Sequence, residues 1–176
     1  QLYIKAVPFG SADPIFGNDY SFYLFTLPLL NLGKSVLWEA FVVLGIGTGI
    51  IVFLKQFIYL GPNGIVMQVE ARRPLSSLAF YFLILMAMEF HLQRYDLLLG
   101  GNGVVTGIGF ADYHGQLPIL NAMSVLSLIG SGLSFFIATG RGMKKVALAL
   151  TGIGVFYFAG SFYPKILQNF IVNPNE

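Results

Sequence analysis

The chain of 176 residues is 56% hydrophobic and 10% charged, with a formal net charge of +2 and no cysteine. A charged share so far below the roughly 25% of soluble domains cannot cover a water-facing surface and indicates an integral membrane protein. The small net charge gives no support to nucleic-acid binding, and the lack of cysteine excludes disulfides, thiolate metal sites and cysteine catalysis.

Residues 1–34 are predicted to form an outer interfacial segment. Glycine and proline interrupt them repeatedly, and both residues favour turns over a continuous helix. The apolar stretch inside this segment is too short to cross a bilayer, although Asn18, Asp19 or Ser21 could cap a helix there. We therefore expect an interfacial helix bent at Pro28, with a loop packed over helix ends as the alternative.

Four transmembrane helices are predicted after this segment, so the expected fold class is an all-α, polytopic integral membrane protein. The predicted spans are residues 35–59, 75–99, 117–139 and 146–163, followed by an outer amphipathic tail at residues 164–176. The turn sequence GPNG lies in the first connector, and a glycine cluster ends the second span. That cluster lacks the lysine and the strand–loop–helix context of a phosphate-binding loop.

Small residues indicate where the predicted helices pack. In the first span Gly45 and Gly49 have the GxxxG spacing, which lets a second helix backbone approach closely. In the third span four serines recur at spacings of 3, 4 and 3, which places them on one helical face. These serines are Ser124, Ser127, Ser131 and Ser134. A helix interface is the simplest interpretation, and a hydrophilic pore wall is the alternative.

Basic residues predict the orientation. Six of the ten lysines and arginines lie in or beside the first and third connectors, and the second connector has none. Cytoplasmic loops carry an excess of Lys and Arg. The sequence therefore predicts a multi-pass plasma-membrane protein with its first and third connectors in the cytoplasm. The N-terminal segment, the second connector and the C-terminus are then outside.

Ionisable residues concentrate at the outer end of the second span and in the loop after it. This polar cluster comprises Glu89, His91, Arg94, Asp96, Asp112 and His114, with Glu39 of the first span at similar depth. On a helix Glu89, Gln93 and Asp96 share one face, while His91 and Arg94 point roughly the other way. Arg94 is therefore expected to reach another element, with Glu39 or Asp112 as candidate partners.

Three interpretations compete for the polar cluster. A hydrogen-bonded network could fix helix register, or the intramembrane carboxylates and histidines could form a proton or ion path. The path is less favoured because the inner parts of these helices carry no matching acidic residue or histidine. A metal site is disfavoured because ExH and DxH spacings separate the ligands on a helix. No catalytic residue and no metal ligand is assigned, and the sequence leaves bound haem, pigment or lipid open.

Two stretches and the C-terminus resemble a known family. ADPIFGNDYSFYLFTLPLL at residues 12–30, QRYDLLLGGNGVVTGIGFADYHGQLPILN at residues 93–121 and the closing FIVNPNE look like the uncharacterised bacterial membrane protein family UPF0182. The resemblance implies that the chain corresponds to the last four of about seven membrane helices. The first three helices and a large extracytoplasmic region would then lie outside it. No activity or catalytic residue is transferred by the resemblance.

The expected function is that of a membrane anchor or assembly subunit for a larger complex or for a large extracytoplasmic domain. The alternative is a transporter or channel component that uses the polar cluster, and a membrane-embedded enzyme comes third. The expected partners are the lipid bilayer and other membrane subunits or the remaining parts of the same protein.

Overall fold

The computed structural model describes residues 8–62, 64–99, 112–139 and 151–155, together with residues 158 and 160. This part of the chain is mostly helical. Its long helices are α1 at Leu27–Leu54, α2 at Val69–Leu99 and α3 at Leu117–Thr139. Short π-helical turns at Phe22–Thr26 and Asp112–Gln116 lead into α1 and α3.

Three helical stretches of the described chain are long and apolar enough to cross a membrane. They are Phe22–Leu54, Val69–Leu99 and Tyr113–Phe136. At 1.5 Å per residue, the shortest of them is about 36 Å long, which exceeds the hydrocarbon core of a bilayer at about 30 Å. The mainly helical class expected from the sequence is confirmed.

α1 begins well before the predicted first span. Helical structure runs without a break from Phe22 to Leu54, so the helix extends beyond the N-terminal end of the predicted span at residues 35–59 and includes Pro28. Pro28 lies in the first turn of α1. The missing N–H of proline removes one bond to the preceding turn, which is π-helical, and the fixed φ of proline suits a helix. The proline therefore starts α1 and does not break it.

α1 ends in a Schellman motif. The N–H of Phe57 donates to the carbonyl of Val52 at 3.0 Å, and the N–H of Gln56 donates to the carbonyl of Phe53 at 3.1 Å. Gln56 takes the left-handed conformation, with φ of 50°, at the position where glycine is usual. The chain reverses there and enters a hairpin.

The first connector is a β-hairpin, which an all-α prediction does not include. Strand β1 at Ile58–Gly61 pairs antiparallel with β2 at Gly64–Met67, so GPNG forms the turn as predicted. α2 then begins at Val69 and contains Pro74, so this helix starts before the predicted span at residues 75–99. The strands were missed because both are short, and residues 58–60 are exposed rather than alternating between a buried and an exposed face.

The third predicted span, residues 117–139, coincides with α3. Of the predicted fourth span, residues 151–155, 158 and 160 are described, and all are helical. The predicted tail at 164–176 and most of the predicted outer loop, residues 100–111, lie outside the described residues.

Burial is uneven among the three helices. α2 contributes seven buried residues, and it packs along α3. α1 has only two buried residues among its 28, Leu27 and Val52. Leu27 belongs to a small core with Tyr23 and Leu92, which joins the start of α1 to the C-terminal half of α2. Met88 and Tyr95, which neighbour Glu89 and Arg94 in the sequence, pack against this core.

Candidate functional site

An ion pair joins α1 to α2 at the centre of the candidate site. Lys34 Nζ lies 3.0 Å from Glu89 Oε1, and the two side chains are 14% and 23% exposed. Gln93 Nε2 donates to the same oxygen at 3.0 Å, and Trp38 Nε1 donates to Oε2 at 3.3 Å. Both oxygens of the carboxylate are therefore hydrogen-bonded. The Lys34–Glu89 contact is the only ion pair among the described residues.

Helical spacing explains how four side chains meet at this point. Lys34 and Trp38 are four residues apart on α1, and Glu89 and Gln93 are four apart on α2. Residues at this spacing share a helix face. α1 therefore presents two donors to the Glu89 carboxylate, and Gln93 of α2 lies beside that carboxylate as a third donor. In an apolar setting a lone charge costs much more than a paired one. The pair therefore fixes the position of α1 along α2.

Arg94 lies on another face of α2 and reaches α3. Its Nη1 donates to Asn121 Oδ1 at 2.6 Å, and its Nε donates to the carbonyl of His91 at 3.1 Å. Nη2 lies within 3.0 Å of the His91 ring. Because a guanidinium can only donate, this contact requires a neutral imidazole that accepts.

Two aromatic rings flank the Arg94 guanidinium. Its Cζ lies 5.4 Å from the ring centroid of Tyr95 and 6.0 Å from that of Phe16, which are cation–π distances. The Phe16 ring also meets Tyr95 edge to face, with centroids 5.0 Å apart. Arg94 therefore connects α2, α3 and the N-terminal loop through hydrogen bonds and ring contacts.

Of the two partners that the sequence suggested for Arg94, Glu39 does not contact it. Glu39 is exposed and makes no hydrogen bond or ion pair within the described part of the chain. Only carboxylates were expected as partners of Arg94, whereas Asn121 and two aromatic rings contact it. Asp112 begins the π-helical turn before α3, but its side chain lies outside the described residues.

Among the described side chains of the predicted polar cluster, Asp96 and His114 do not contact the Glu89 carboxylate. Asp96 is partly exposed on α2, and His114 is exposed next to the Tyr113 ring, with ring centroids 5.0 Å apart. Across the described ranges no group of three His, Cys, Asp or Glu side chains is placed to hold a metal ion. The predicted cluster is thus divided into an ion-pair centre at Glu89 and an arginine centre at Arg94.

An ordered loop that the sequence analysis did not single out covers the arginine centre. The buried Asp13 carboxylate accepts hydrogen bonds from the backbone N–H groups of Ile15, Phe16 and Asn18 at 2.6–2.9 Å. It also accepts one from the Tyr23 hydroxyl at 2.7 Å. Burial raises the pKa of Asp13, but the Phe16 N–H and the other donors lower it more, so the net pKa lies below 3.8. Asp13 therefore holds this turn as an anion.

Asp19 closes the same loop. Its carboxylate accepts from the N–H groups of Phe9, Gly10 and Ser21 at 2.8–3.0 Å. The Phe9 N–H and the bonds from Ser21 lower the pKa of Asp19 to about 2. Of the three helix caps proposed from the sequence, Asp19 is the residue whose side chain accepts from the start of the helix. Asp13 could have been found from its position directly before Pro14.

The four serines of α3 lie at its contact with α2, and all are buried. Ser134 is 0% exposed and Ser127 3% exposed. The Ser124 hydroxyl donates to the Ala87 carbonyl at 3.2 Å, and the Ser76 hydroxyl of α2 donates to the Ser134 carbonyl at 2.6 Å. Small side chains let the two backbones approach, and the hydroxyls bond across the contact.

The glycines of the first predicted span, unlike the serines of α3, do not lie at a helix contact among the described residues. A Cβ at Gly45 or Gly49 would meet no atom within 4 Å among the described residues, so the GxxxG face of α1 has no helix against it there. A Cβ at Gly160 would instead lie 2.7 Å from Met123 Cε and 3.1 Å from Ile119 Cγ2. Gly160 therefore marks a close contact between the fourth helical region and α3.

An apolar cavity of about 370 Å³ lies on this side of the α2–α3 pair. Its lining residues are Ala79, Phe82, Leu83, Met86, Phe90, Met123, Ser127, Ile153 and Gly154. The cavity shows that residues 153–154 lie beside α2 and α3. The lining residues that the structure describes include no charged group for catalysis or ion coordination.

The described chain is thus a set of helices long and apolar enough to span a membrane, joined by one ion pair and by buried serines. Its sequence matches the profile of the uncharacterised protein family UPF0182 over residues 1–176. The chain belongs to this family, as the resemblance predicted.

Three relatives show the extent of the similarity. The chain is 32% identical over 177 residues to a UPF0182 protein of Geobacter sp. strain M21, which covers 99% of the chain and 20% of the relative. It is 34% identical over 178 residues to one of Saccharopolyspora erythraea, covering 99% and 18%. It is 33% identical over 181 residues to one of Geobacter sulfurreducens, covering 99% and 20%. No solved structure matches the chain.

Proposed function

We propose that the chain is a multi-pass plasma-membrane region of a longer protein and that it acts as an anchor or assembly module. The observation that carries this proposal is the saturation of the Glu89 carboxylate by Lys34, Trp38 and Gln93. A network that satisfies its own members orders the helices, whereas a carrier site needs groups that are free to exchange their partners.

The length of the relatives supports the same role. The chain spans only 20% of the Geobacter sp. relative, so most of such a protein lies beyond this region. α1 has an almost entirely uncovered apolar surface, with Val43 69% and Phe53 80% exposed. In the proposed setting this surface faces lipid or other membrane helices, because neither requires polar groups.

We further propose the orientation that follows from the basic residues. Lys55, Arg72 and Arg73 lie beside the hairpin connector, and Arg141, Lys144 and Lys145 follow α3 in the sequence. The positive-inside tendency places these segments in the cytoplasm. The polar cluster then lies toward the outer face, near an extracytoplasmic region of the longer protein.

Transport is the second candidate function. The observation in its favour is the ionisable pair of Lys34 and Glu89 within the apolar length of the helices. Such pairs also occur in proton and ion pathways.

Replacing the pair with apolar residues in the full-length protein separates the two functions. We expect the double variant Lys34→Met with Glu89→Met to retain its membrane abundance, and proton and cation flux in proteoliposomes to match that of the wild type. Glu39→Met is the matched control, because Glu39 is an exposed carboxylate on the same helix as Lys34. A double variant that folds normally but loses a wild-type flux would contradict the anchor role and favour transport.

A further inference from the structure

A cleft opens between α2 and α3 at the end of the pair that adjoins the hairpin. It has a volume of about 380 Å³ and is distinct from the apolar cavity. Its lining residues are Arg73, Ser76, Ser77, Phe80, Tyr81 and Phe135. The rings of Phe80 and Phe135 lie together, with centroids 5.0 Å apart. The cleft therefore combines a cationic end with an aromatic wall.

Two donors in the cleft have no partner in the described part of the chain. The Arg73 side chain is exposed, and its guanidinium makes no ion pair or hydrogen bond there. The Tyr81 hydroxyl likewise has no hydrogen-bond partner within the described residues. The serine hydroxyls differ, because Ser76 donates to the Ser134 carbonyl at 2.6 Å and Ser77 to the Arg73 carbonyl at 3.1 Å.

The two unpartnered donors lie on one face of α2. They are eight residues apart, which is about 12 Å along the helix. Side chains on a helix lean toward its N-terminus, so Arg73 and Tyr81 lean in the same direction and their end groups keep a similar spacing. Their spacing therefore suits a ligand that has an anionic group at one end and a hydrogen-bond acceptor farther along.

The surroundings of the cleft are those of a membrane–water boundary. The hairpin that precedes α2 exposes Tyr59 and Leu60, the latter to 87%, and Lys55 is exposed just before it. Aromatic and basic side chains concentrate at the headgroup level of a bilayer. Basic pockets between helices on the cytoplasmic side are places where anionic headgroups bind.

We propose that this cleft binds an anionic phospholipid of the cytoplasmic leaflet. Arg73 donates to the phosphate, because a planar guanidinium matches phosphate oxygens and no carboxylate of the described residues pairs with it. Tyr81 donates to an ester oxygen of the same lipid, and an acyl chain lies against Phe80 and Phe135. This inference rests on the membrane embedding proposed above.

Lipid binding to the purified full-length protein tests the site. Native mass spectrometry would follow binding of phosphatidylglycerol and phosphatidylcholine to the wild type, Arg73→Gln and Lys55→Gln. Loss of a charge-assisted, two-point contact is expected to weaken phosphatidylglycerol binding about tenfold in Arg73→Gln. Lys55→Gln removes the same charge at the same end of the molecule but outside the cleft, and is expected to bind like the wild type.

A milder variant and a competition with phosphate complete the test. The first is expected to leave the fold intact, and the second distinguishes a lipid from free phosphate. Tyr81→Phe removes only a hydroxyl and is expected to weaken phosphatidylglycerol binding by about threefold. Millimolar inorganic phosphate is expected not to displace the lipid. Equal weakening in Arg73→Gln and Lys55→Gln would show diffuse charge attraction and overturn the site, as would displacement by phosphate alone.

Membrane embedding and lipid binding at the cleft can be tested separately. Carbonate extraction and protease protection of the wild type report on membrane embedding independently of lipid binding. A wild type that is not embedded would overturn both proposals. An embedded protein whose Arg73→Gln and Tyr81→Phe variants bind phosphatidylglycerol as the wild type does would overturn the lipid site alone.

Discussion

α1 and the α2–α3 pair are both apolar, yet they are packed in different ways. None of the most apolar stretch of the α1 helix is buried, whereas 33% of the corresponding stretch is buried in α2 and in α3. The buried contact of α2 and α3 contains serines, which bond across it. Hydropathy therefore identifies helices that can span a membrane, but small polar residues determine which of them pack together.

α1 is instead attached at its N-terminal half. Leu27 is 1% exposed in the small core with Tyr23 and Leu92, and Lys34 and Trp38 follow at the ion pair. Beyond these contacts the helix has few neighbours. Substitutions in α1 are therefore expected to have large effects near Leu27, near Lys34 and at the buried Val52, and small effects at the exposed positions.

The largest single-residue effect is expected at Leu27. Leu27→Ala should lower the free energy of unfolding by about 2–4 kcal/mol, because it leaves a cavity in the core. Leu32→Ala is the matched control on the same helix, since Leu32 is 62% exposed, and it should have little effect. Thermal unfolding of the purified protein in detergent measures both, and equal losses would contradict the uneven attachment of α1.

Glycine substitutions test the contact between α3 and the fourth helical region. Gly160→Val should cost about 1–3 kcal/mol more than Gly152→Val, because added atoms at residue 160 overpack against Met123 and Ile119. A Cβ at Gly152 meets nothing within 4 Å among the described residues, so this variant reports the helix propensity change alone. Indistinguishable unfolding temperatures for the two variants would remove the proposed contact.

Serine substitutions test the α2–α3 contact with a smaller expected effect. Ser76→Ala should cost about 0.6 kcal/mol, the average for a hydrogen bond between membrane helices. Ser77→Ala should cost less, because its hydroxyl bonds within its own helix to Arg73 at 3.1 Å. Chemical unfolding in micelles compares them. A larger loss for Ser77→Ala would show that the hydroxyl across the contact contributes little.

The N-terminal loop should respond to acid without loss of the helices. The pKa of Asp19 is lowered from 3.8 to about 2, so its stabilisation is complete above pH 3.8 and is lost as the pH falls through about 2. Amide hydrogen exchange at Phe9 and Gly10, corrected for intrinsic rates, should therefore increase over this interval. Asp19→Asn should exchange faster at neutral pH, and equal protection in that variant would contradict the assigned hydrogen bonds.

Much of the fold could be predicted from local sequence. An uncharged stretch of 23 residues defined α3, and the periodicity of its serines placed them on a common face. The start of α1 could not be predicted in the same way, because proline signals a turn unless it falls in the first turn of a helix. The hairpin was missed because its apolar strands lack alternation.

The candidate site was predicted only in part. Charge scarcity drew attention to Glu89 and Arg94, but their partners depend on how α1 and α3 lie against α2, which helical periodicity alone does not determine. Because Lys34 falls in the predicted interfacial segment at residues 1–34, the sequence did not suggest it as a partner of Glu89. Asn121 is uncharged and gave no comparable signal.

The central claim, that the Lys34–Glu89 pair holds α1 against α2, is tested most directly by a double-mutant cycle. Unfolding free energies would be measured for the wild type, Lys34→Met, Glu89→Met and the double variant. Each single variant should lose about 2–4 kcal/mol, since it leaves a partly buried charge unpaired, and the double variant should lose less than either one. Losses that simply add would contradict the account, because the two residues would then act independently.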